Sequence, residues 1–488
     1  MSATLHTPAI PDRLIAEQAL SRVAGAPLQV GNAVDLLIDA AAHFDAWLAS
    51  IRAAQRRVLL ENYIVRDDSV GRAFRDALVE RAQAGILVAV VVDWLGCLGQ
   101  SGSSFWGPLR AAGGQVRVFN PPRLGEPFGW ISRDHRKLLV VDGICGFLSG
   151  VCISAKWLGD PTSQVPPWRD TGVRICGPAV AELEGAFAQS WSIAGAALPA
   201  LPLDPPHTEP LGSVALRVIA SQPPAAGVYR LDLLIAAVAR RTLWLSDAYF
   251  IGISPYVQAL VAAARDGVDV RMLVPGTSDI PVIARMSRAG YRPLLRAGVR
   301  VFEWNGSMLH AKTAVADGQW ARVGSSNLNI SSWLGNCEID VAVEDAGFAG
   351  LLAAQFERDL HNATEILLTP RRRRRSPQIL GGARRPPNLA RSGGSSSRAA
   401  AGALRIANTV GAALASHRVL GNESSGPLLA GAFVLAAFTV IAVLRPTWIA
   451  WPCGALAAWL AVNLAVRSWR VRGRSQSDRN HTADENQG

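Results

Sequence analysis

Two stretches of the 488-residue chain repeat one arrangement of ionisable residues: His135-Arg136-Lys137 followed by Asp142-Gly143, and His310-Ala311-Lys312 followed by Asp317-Gly318. In an extended strand, residues two apart share a face, so each imidazole is presented together with an ammonium while the residues after the lysine bury the rest of the strand. One such pair is weak evidence for chemistry. Two at equal spacing predict a cationic pocket suited to a phosphate diester: one imidazole attacks phosphorus, and the other, protonated, gives its proton to the leaving alkoxide. That chemistry requires no metal and no cofactor, in keeping with the absence of clustered carboxylates. Asp142 and Asp317 lie an odd number of residues from their histidines and each precedes glycine, which favours the turn of a hairpin over a catalytic role.

The elements that must position these residues are themselves doubled. RVLLENYIV (57–65), a helical stretch ending ERAQAGILVAVVVDW (80–94), and LRAAGGQVRVFNP (109–121) are matched by RTLWLSDAYF (241–250), VQALVAAARDGVDVRMLVP (257–275) and LLRAGVRVFEW (294–304). Short β-branched runs alternating with longer helical patterns, closed by Gly85, Gly267 and Gly298, predict two α/β units with buried central strands. After each motif come small residues, GFLSGVC (146–152) and WARVGSSN (320–327), which let backbone and an amide approach a ligand closely.

The doubled motif resembles the signature of the phospholipase D superfamily, a repeated HxKxxxxD followed by GSxxN-like residues, over roughly residues 28 to 365. Within it the chain is most similar to the bacterial cardiolipin synthases, on Trp168-Arg169-Asp170, the run from Val173 to Pro178, Gly324 to Leu328, and Asn336-Cys337-Glu338. The resemblance implies two duplicated α/β-sandwich halves forming one pseudo-twofold catalytic unit, and a phosphohistidine intermediate with His135 as nucleophile and His310 as general acid. It also implies an acidic residue orienting each ring, by position Asp170 for His135 and Glu338 for His310, and phosphate contacts from Ser325 and Asn327 and their counterparts Ser149 and Cys152. Cys152 stands where the family has an amide, and Ser149-Gly150 stand for Gly324-Ser325. The implied substrates are phospholipids, phosphatidylglycerol or similar, with a second lipid, an alcohol or water accepting the phosphatidyl group. A membrane-bound nuclease and a non-catalytic binder of anionic lipid remain as alternatives.

The rest of the chain bears on location. Of a net charge of +11, residues 370 to 398 carry nine arginines and no acid, set among Pro, Gly and Ser, as in a flexible basic tether. Beyond it, 427–444 and 446–466 are uncharged, 18 and 21 residues long, and separated by Arg445. At ~1.5 Å per residue these predict a transmembrane helical hairpin. Arg467, Arg470, Arg472 and Arg474 follow it, and the positive-inside rule then places the catalytic region on the cytoplasmic side of a bacterial inner membrane. A membrane partner explains the basic tether better than nucleic acid does. The expected order is an N-terminal extension (1–27), halves at 28–205 and 206–368, linker (369–400), juxtamembrane segment (401–426), hairpin (427–466) and tail (467–488). The N-terminus lacks the uninterrupted apolar run of a secretory signal. Six cysteines without a CxxC pair predict neither a disulfide nor a structural metal, and fit a reducing cytosol.

Overall fold

The computed structural model describes residues 12–122, 131–195 and 209–368, together with Trp459. Apart from Trp459, the linker, juxtamembrane segment, hairpin and tail expected at 369–488 lie outside the described residues, as does 123–130, the centre of an insertion before His135 with no counterpart in the second copy. Among the described residues no helix is long and apolar enough to cross a membrane.

After α1 (Asp12–Ala24) the chain runs β1 (Gln29–Ile38), α2 (Asp39–Ala53), β2 (Arg57–Asn62), α3 (Ser69–Gln83), β3 (Leu87–Asp93), α4 (Gly107–Ala111) and β4 (Gln115–Phe119). It then forms the antiparallel β5 (Lys137–Val141), β6 (Cys145–Ser149) and β7 (Thr171–Cys176), and closes with α5 (Val180–Ala194). The order then repeats: β8 (Val214–Ser221), α6 (Gly227–Val238), β9 (Thr242–Ser246), α7 (Ser254–Arg265), β10 (Asp269–Pro275), α8 (Pro281–Ala297) and β11 (Arg300–Trp304). The antiparallel set is β12 (Thr313–Ala316), β13 (Trp320–Gly324) and β14 (Glu338–Val343), followed by α9 (Ala346–Leu360) and a final β15 (Ala363–Ile366). This mixed α/β fold is built on one 15-stranded sheet whose two arms run outward from the β1–β8 pair in matching order, β7-β6-β5-β2-β3-β4 on one side and β14-β13-β12-β9-β10-β11-β15 on the other.

Strand alternation divides the core into layers. On β2, Val58 and Leu60 pack with Phe44, Trp47 and Phe74 of α2 and α3, while Leu59 between them points the other way, to Leu183 and Phe187 of α5. In the second arm Ala314 and Ala316 face α6, α7 and α8, and Val315 faces the same inner layer as Leu59. Residues of both arms share that inner layer with α5 and α9, so the arms fold onto one core.

Both Asp-Gly steps are turns with positive φ at each residue: 57° and 70° at Asp142 and Gly143, 54° and 66° at Asp317 and Gly318. The carboxylates reach back to the amides that open the neighbouring strand. Asp142 accepts from Gln55, Arg56 and Arg57 at 2.8–2.9 Å, and Asp317 from Arg240, Arg241 and Thr242 at 2.7–2.9 Å. One cysteine expectation is corrected. Cys145 and Cys176 are joined by a disulfide, because the antiparallel register of β6 and β7 sets residues 31 apart in sequence directly opposite each other with Cα atoms 4.2 Å apart.

Candidate active site

The two histidines enter the sheet just ahead of β5 and β12, and each is held by backbone from the other arm. The His135 amide donates to the Cys337 carbonyl at 2.9 Å, and the Cys337 amide returns to Arg133 at 2.8 Å; the His310 amide donates to the Arg169 carbonyl at 2.7 Å, and the Arg169 amide to Met308 at 2.9 Å. The residue after Cys337 is Glu338, and the residue after Arg169 is Asp170. This register therefore crosses the acids over. His135 Nδ1 meets Glu338 at 2.9 Å and His310 Nδ1 meets Asp170 at 2.8 Å, both carboxylates fully buried. The expected pairing of each histidine with the acid of its own half is thus corrected. With Nδ1 engaged, Nε2 is the nitrogen of each ring left for chemistry. Lys137 and Lys312 each donate to the carbonyl of their own histidine, which holds both ammonium groups on the histidine side of the strand.

The carboxylates are secured by different groups. Glu338 accepts the Ser325 hydroxyl at 2.5 Å, and the same Ser325 oxygen accepts the Ile339 amide. Asp170 accepts the Trp157 indole at 3.2 Å and its neighbour's amide, Thr171, at 2.9 Å, while its own amide donates to Asp39 at 2.9 Å. Gly150, the counterpart of Ser325, has no room for a side chain: a Cβ there would lie 2.3 Å from an Asp170 oxygen. The irregular Ser149-Gly150 sequence is thus the steric complement of the tryptophan-held aspartate.

The four residues expected at the phosphate divide. Asn327 is buried with its side-chain oxygen unpartnered among the described residues, and Ser325 braces Glu338. Ser149 is turned inward, its hydroxyl accepting the Val151 amide at 3.0 Å. Cys152 is 1% exposed in an apolar cluster with Val151, Ile153, Trp157 and Trp168. Ser149 is therefore corrected to a packing residue, its hydroxyl already taken by local backbone, whereas the buried Cys152 thiol lies within the electrostatic reach of both Lys137 and Lys312.

With the geometry in place, the sequence has clear relatives. Residues 234–360 match the family model described as cardiolipin synthase, PLD-like domain. Cardiolipin synthase A of Pseudomonas putida is 34% identical over 359 residues, covering 72% of each chain, and that of Pseudomonas aeruginosa is 35% identical over 353 residues, covering 71% of each. The chain belongs to the PLD-like cardiolipin synthase family. The fold is also that of phosphatidylserine synthase from Haemophilus influenzae, with a TM-score of 0.56 at 13% identity over 72% of this chain and 92% of that one.

In this member of the cardiolipin synthase family, burial and the paired lysines set the protonation of the site. Burial lowers the pKa of His310 to about 4, Lys312 pushes it the same way, and Asp170 opposes both. His135 is lowered by burial and by both lysines against the pull of Glu338. Burial brings Lys312 down to about 8. Asp170 and Glu338 stay below the usual carboxylate range: burial alone would raise them, and the adjoining imidazoles and lysines outweigh it. An anion between the lysines reverses the main charge repulsion on both rings.

Several site residues were not found from sequence. Tyr63 lies 5.0 Å from both the His135 ring and the Lys137 nitrogen, and Tyr249 lies 5.8 Å from His310. Trp157 and Trp168 each pack 5.5 Å from His310. The tyrosines had a signal, an aromatic just past β2 and β9 in ENYIV and SDAYF, but they occupy different positions in the two copies. Asp247, beside Lys312, is raised by burial to about 7, although it accepts the Leu328 and Tyr249 amides.

Proposed function

We propose that the chain transfers a phosphatidyl group from one phosphatidylglycerol to another, making cardiolipin and releasing glycerol, in one pseudo-twofold catalytic unit built from residues 28–205 and 206–368. The observation that carries this is the doubled His-Lys pair, each ring gripped at Nδ1 by a buried carboxylate of the opposite arm. In the first step His135 Nε2 attacks phosphorus, the bond from phosphorus to the glycerol oxygen breaks, and His310 delivers its proton to that oxygen. In the second, His310 takes the proton of the incoming lipid's hydroxyl, whose oxygen attacks phosphorus and breaks the nitrogen–phosphorus bond. Lys137, Lys312 and Asn327 offset and hold the phosphate charge. Asp142 and Asp317 serve the turns. No metal or cofactor enters the scheme.

The uncharged spans at 427–444 and 446–466 support a membrane hairpin, and the arginines on both flanks support a cytoplasmic catalytic region at a bacterial inner membrane. The disulfide removes the cysteines as an argument for a reducing compartment, so this placement rests on the arginines. A tether of this kind raises the local concentration of lipid at the pocket.

The test is to incubate purified full-length protein with labelled phosphatidylglycerol, alone and with phosphatidylethanolamine, and resolve the products. Cardiolipin and glycerol are expected. Phosphatidic acid alone would make the chain a hydrolase, and no turnover of lipid alongside cleavage of DNA or RNA would replace the reading with a nuclease.

A further inference from the structure

We propose that the side of the sheet at which the two histidines enter β5 and β12 is the surface by which this chain contacts an anionic lipid leaflet, with the start of α8 as its basic shoulder. The inference rests on the reading of the substrate as phospholipid, and adds which face meets the membrane. Six large apolar side chains, Leu95, Leu98, Leu158, Ile280, Met286 and Leu334, are between 36% and 56% exposed. Single exposed apolar residues are ordinary. Five of these adjoin residues of the site or of its supports, and the sixth, Met286, lies in α8 beside Arg285.

Leu95 and Leu98 follow the end of β3, where Asp93 accepts the amide of Asp134, next to His135, at 2.9 Å. Leu158 adjoins Trp157, which packs on His310. Leu334 lies in the short helix Ser331–Gly335 that leads into Glu338. Ile280 follows Asp279, whose carboxylate accepts the Tyr249 hydroxyl at 2.8 Å and faces Lys156 at 3.5 Å, and Tyr249 packs against His310. Exposed apolar side chains therefore flank the segments that build a site whose proposed substrate carries its charge at the headgroup and its apolar mass beyond it, as a leaflet presents them; they form the proposed rim.

Charge points the same way. Where the first arm has only the five-residue α4 between β3 and β4, the second has, between β10 and β11, the 17-residue α8, with four arginines and no acidic residue. At 100° per residue Arg285, Arg288, Arg292 and Arg296 fall within an arc of roughly 80°. The opposite side buries Ser287, Tyr291 and Leu294. Arg288 is spent on Glu303, at 2.7 and 3.0 Å. Among the described residues Arg285, Arg292 and Arg296 form no ion pair. The stripe starts at Arg285, beside the exposed Met286 and six residues after the Asp279 that holds Tyr249, so in the proposed orientation Arg285 meets the headgroups and the others add a longer-range attraction for anionic lipid.

The test uses full-length protein in a Cys453→Ser background, with an environment-sensitive fluorophore on Leu98→Cys, Met286→Cys or Leu351→Cys, the last an exposed position on α9 outside the rim. In vesicles containing phosphatidylglycerol, probes at 98 and 286 should shift to the blue and be quenched by lipid-borne quencher, and the probe at 351 should do neither. Equal behaviour at all three positions would overturn the inference. Arg285→Glu with Met286→Glu should lower transfer on vesicles about tenfold and leave transfer on detergent-dispersed lipid within about twofold. An equal loss on both substrates, or no loss on either, would also overturn it. The probes need no turnover, so a chain that fails to make cardiolipin and a rim that fails to touch lipid are separate results.

Discussion

The two half-sites carry the same His-Lys pair in different surroundings. The His310 side chain is 5% exposed, walled by Trp157, Trp168 and Tyr249; the His135 side chain is 13% exposed, with Tyr63 as its one aromatic neighbour among the described residues. Asp170 is held by an indole against a bare Gly150, and Glu338 by a serine hydroxyl. Duplication has preserved the reacting groups and let their supports diverge. The proposed scheme uses this difference, assigning attack on a bulky phosphodiester to the more open ring and proton transfer to the enclosed one.

The strongest way to break this division of labour is to remove each ring in turn. His135→Ala and His310→Ala should each lower transfer by on the order of 10⁴-fold, measured with labelled phosphatidylglycerol. The two should also differ in kind: because His310 serves both steps, His310→Ala should form labelled phosphoenzyme only slowly, over long incubation before acid quench, and His135→Ala none at all. Labelled His135→Ala protein would reverse the roles.

The crossed acids come next. Asp170→Asn and Glu338→Gln should each cost roughly 10- to 100-fold in rate, as for other groups that orient a working histidine. Burial and the lysines lower the His310 pKa to about 4 even with Asp170 pulling it upward. Its loss should therefore shift the NMR titration of His310 further down and leave His135 in place, while Glu338→Gln should do the converse. Inorganic phosphate, by offsetting the lysines, should move both rings upward. Movement of His135 in Asp170→Asn would undo the crossing.

The supports give smaller effects. Gly150→Ser forces a side chain onto Asp170 and should cost more activity than Ser325→Gly, which deletes one hydrogen bond to Glu338 and should cost about tenfold. Cys152→Asn, which buries an amide in the apolar cluster, should lower stability by about 1–3 kcal/mol with no gain in rate, measured by thermal unfolding alongside activity. Least affected in chemistry should be Asp142→Ala and Asp317→Ala. Each loses three backbone hydrogen bonds at a turn, which should lower the melting temperature and leave product identity unchanged.

What the sequence determined by itself is local. Residues two apart on a strand share a face, and Asp-Gly prefers a turn with positive φ, so the paired presentation of His135 with Lys137 and of His310 with Lys312 and the turn positions of Asp142 and Asp317 could be read directly. The doubled order of strands and helices followed from the internal repeat. The tertiary structure decided what depends on register between distant strands: that Glu338, 203 residues from His135, reaches it in place of Asp170, that Cys145 meets Cys176, and that the Ser149 hydroxyl turns inward. Alternation along a strand states which face a side chain occupies. It does not state which strand of the other arm lies across that face, because that is set by how the two layers pack on their common core.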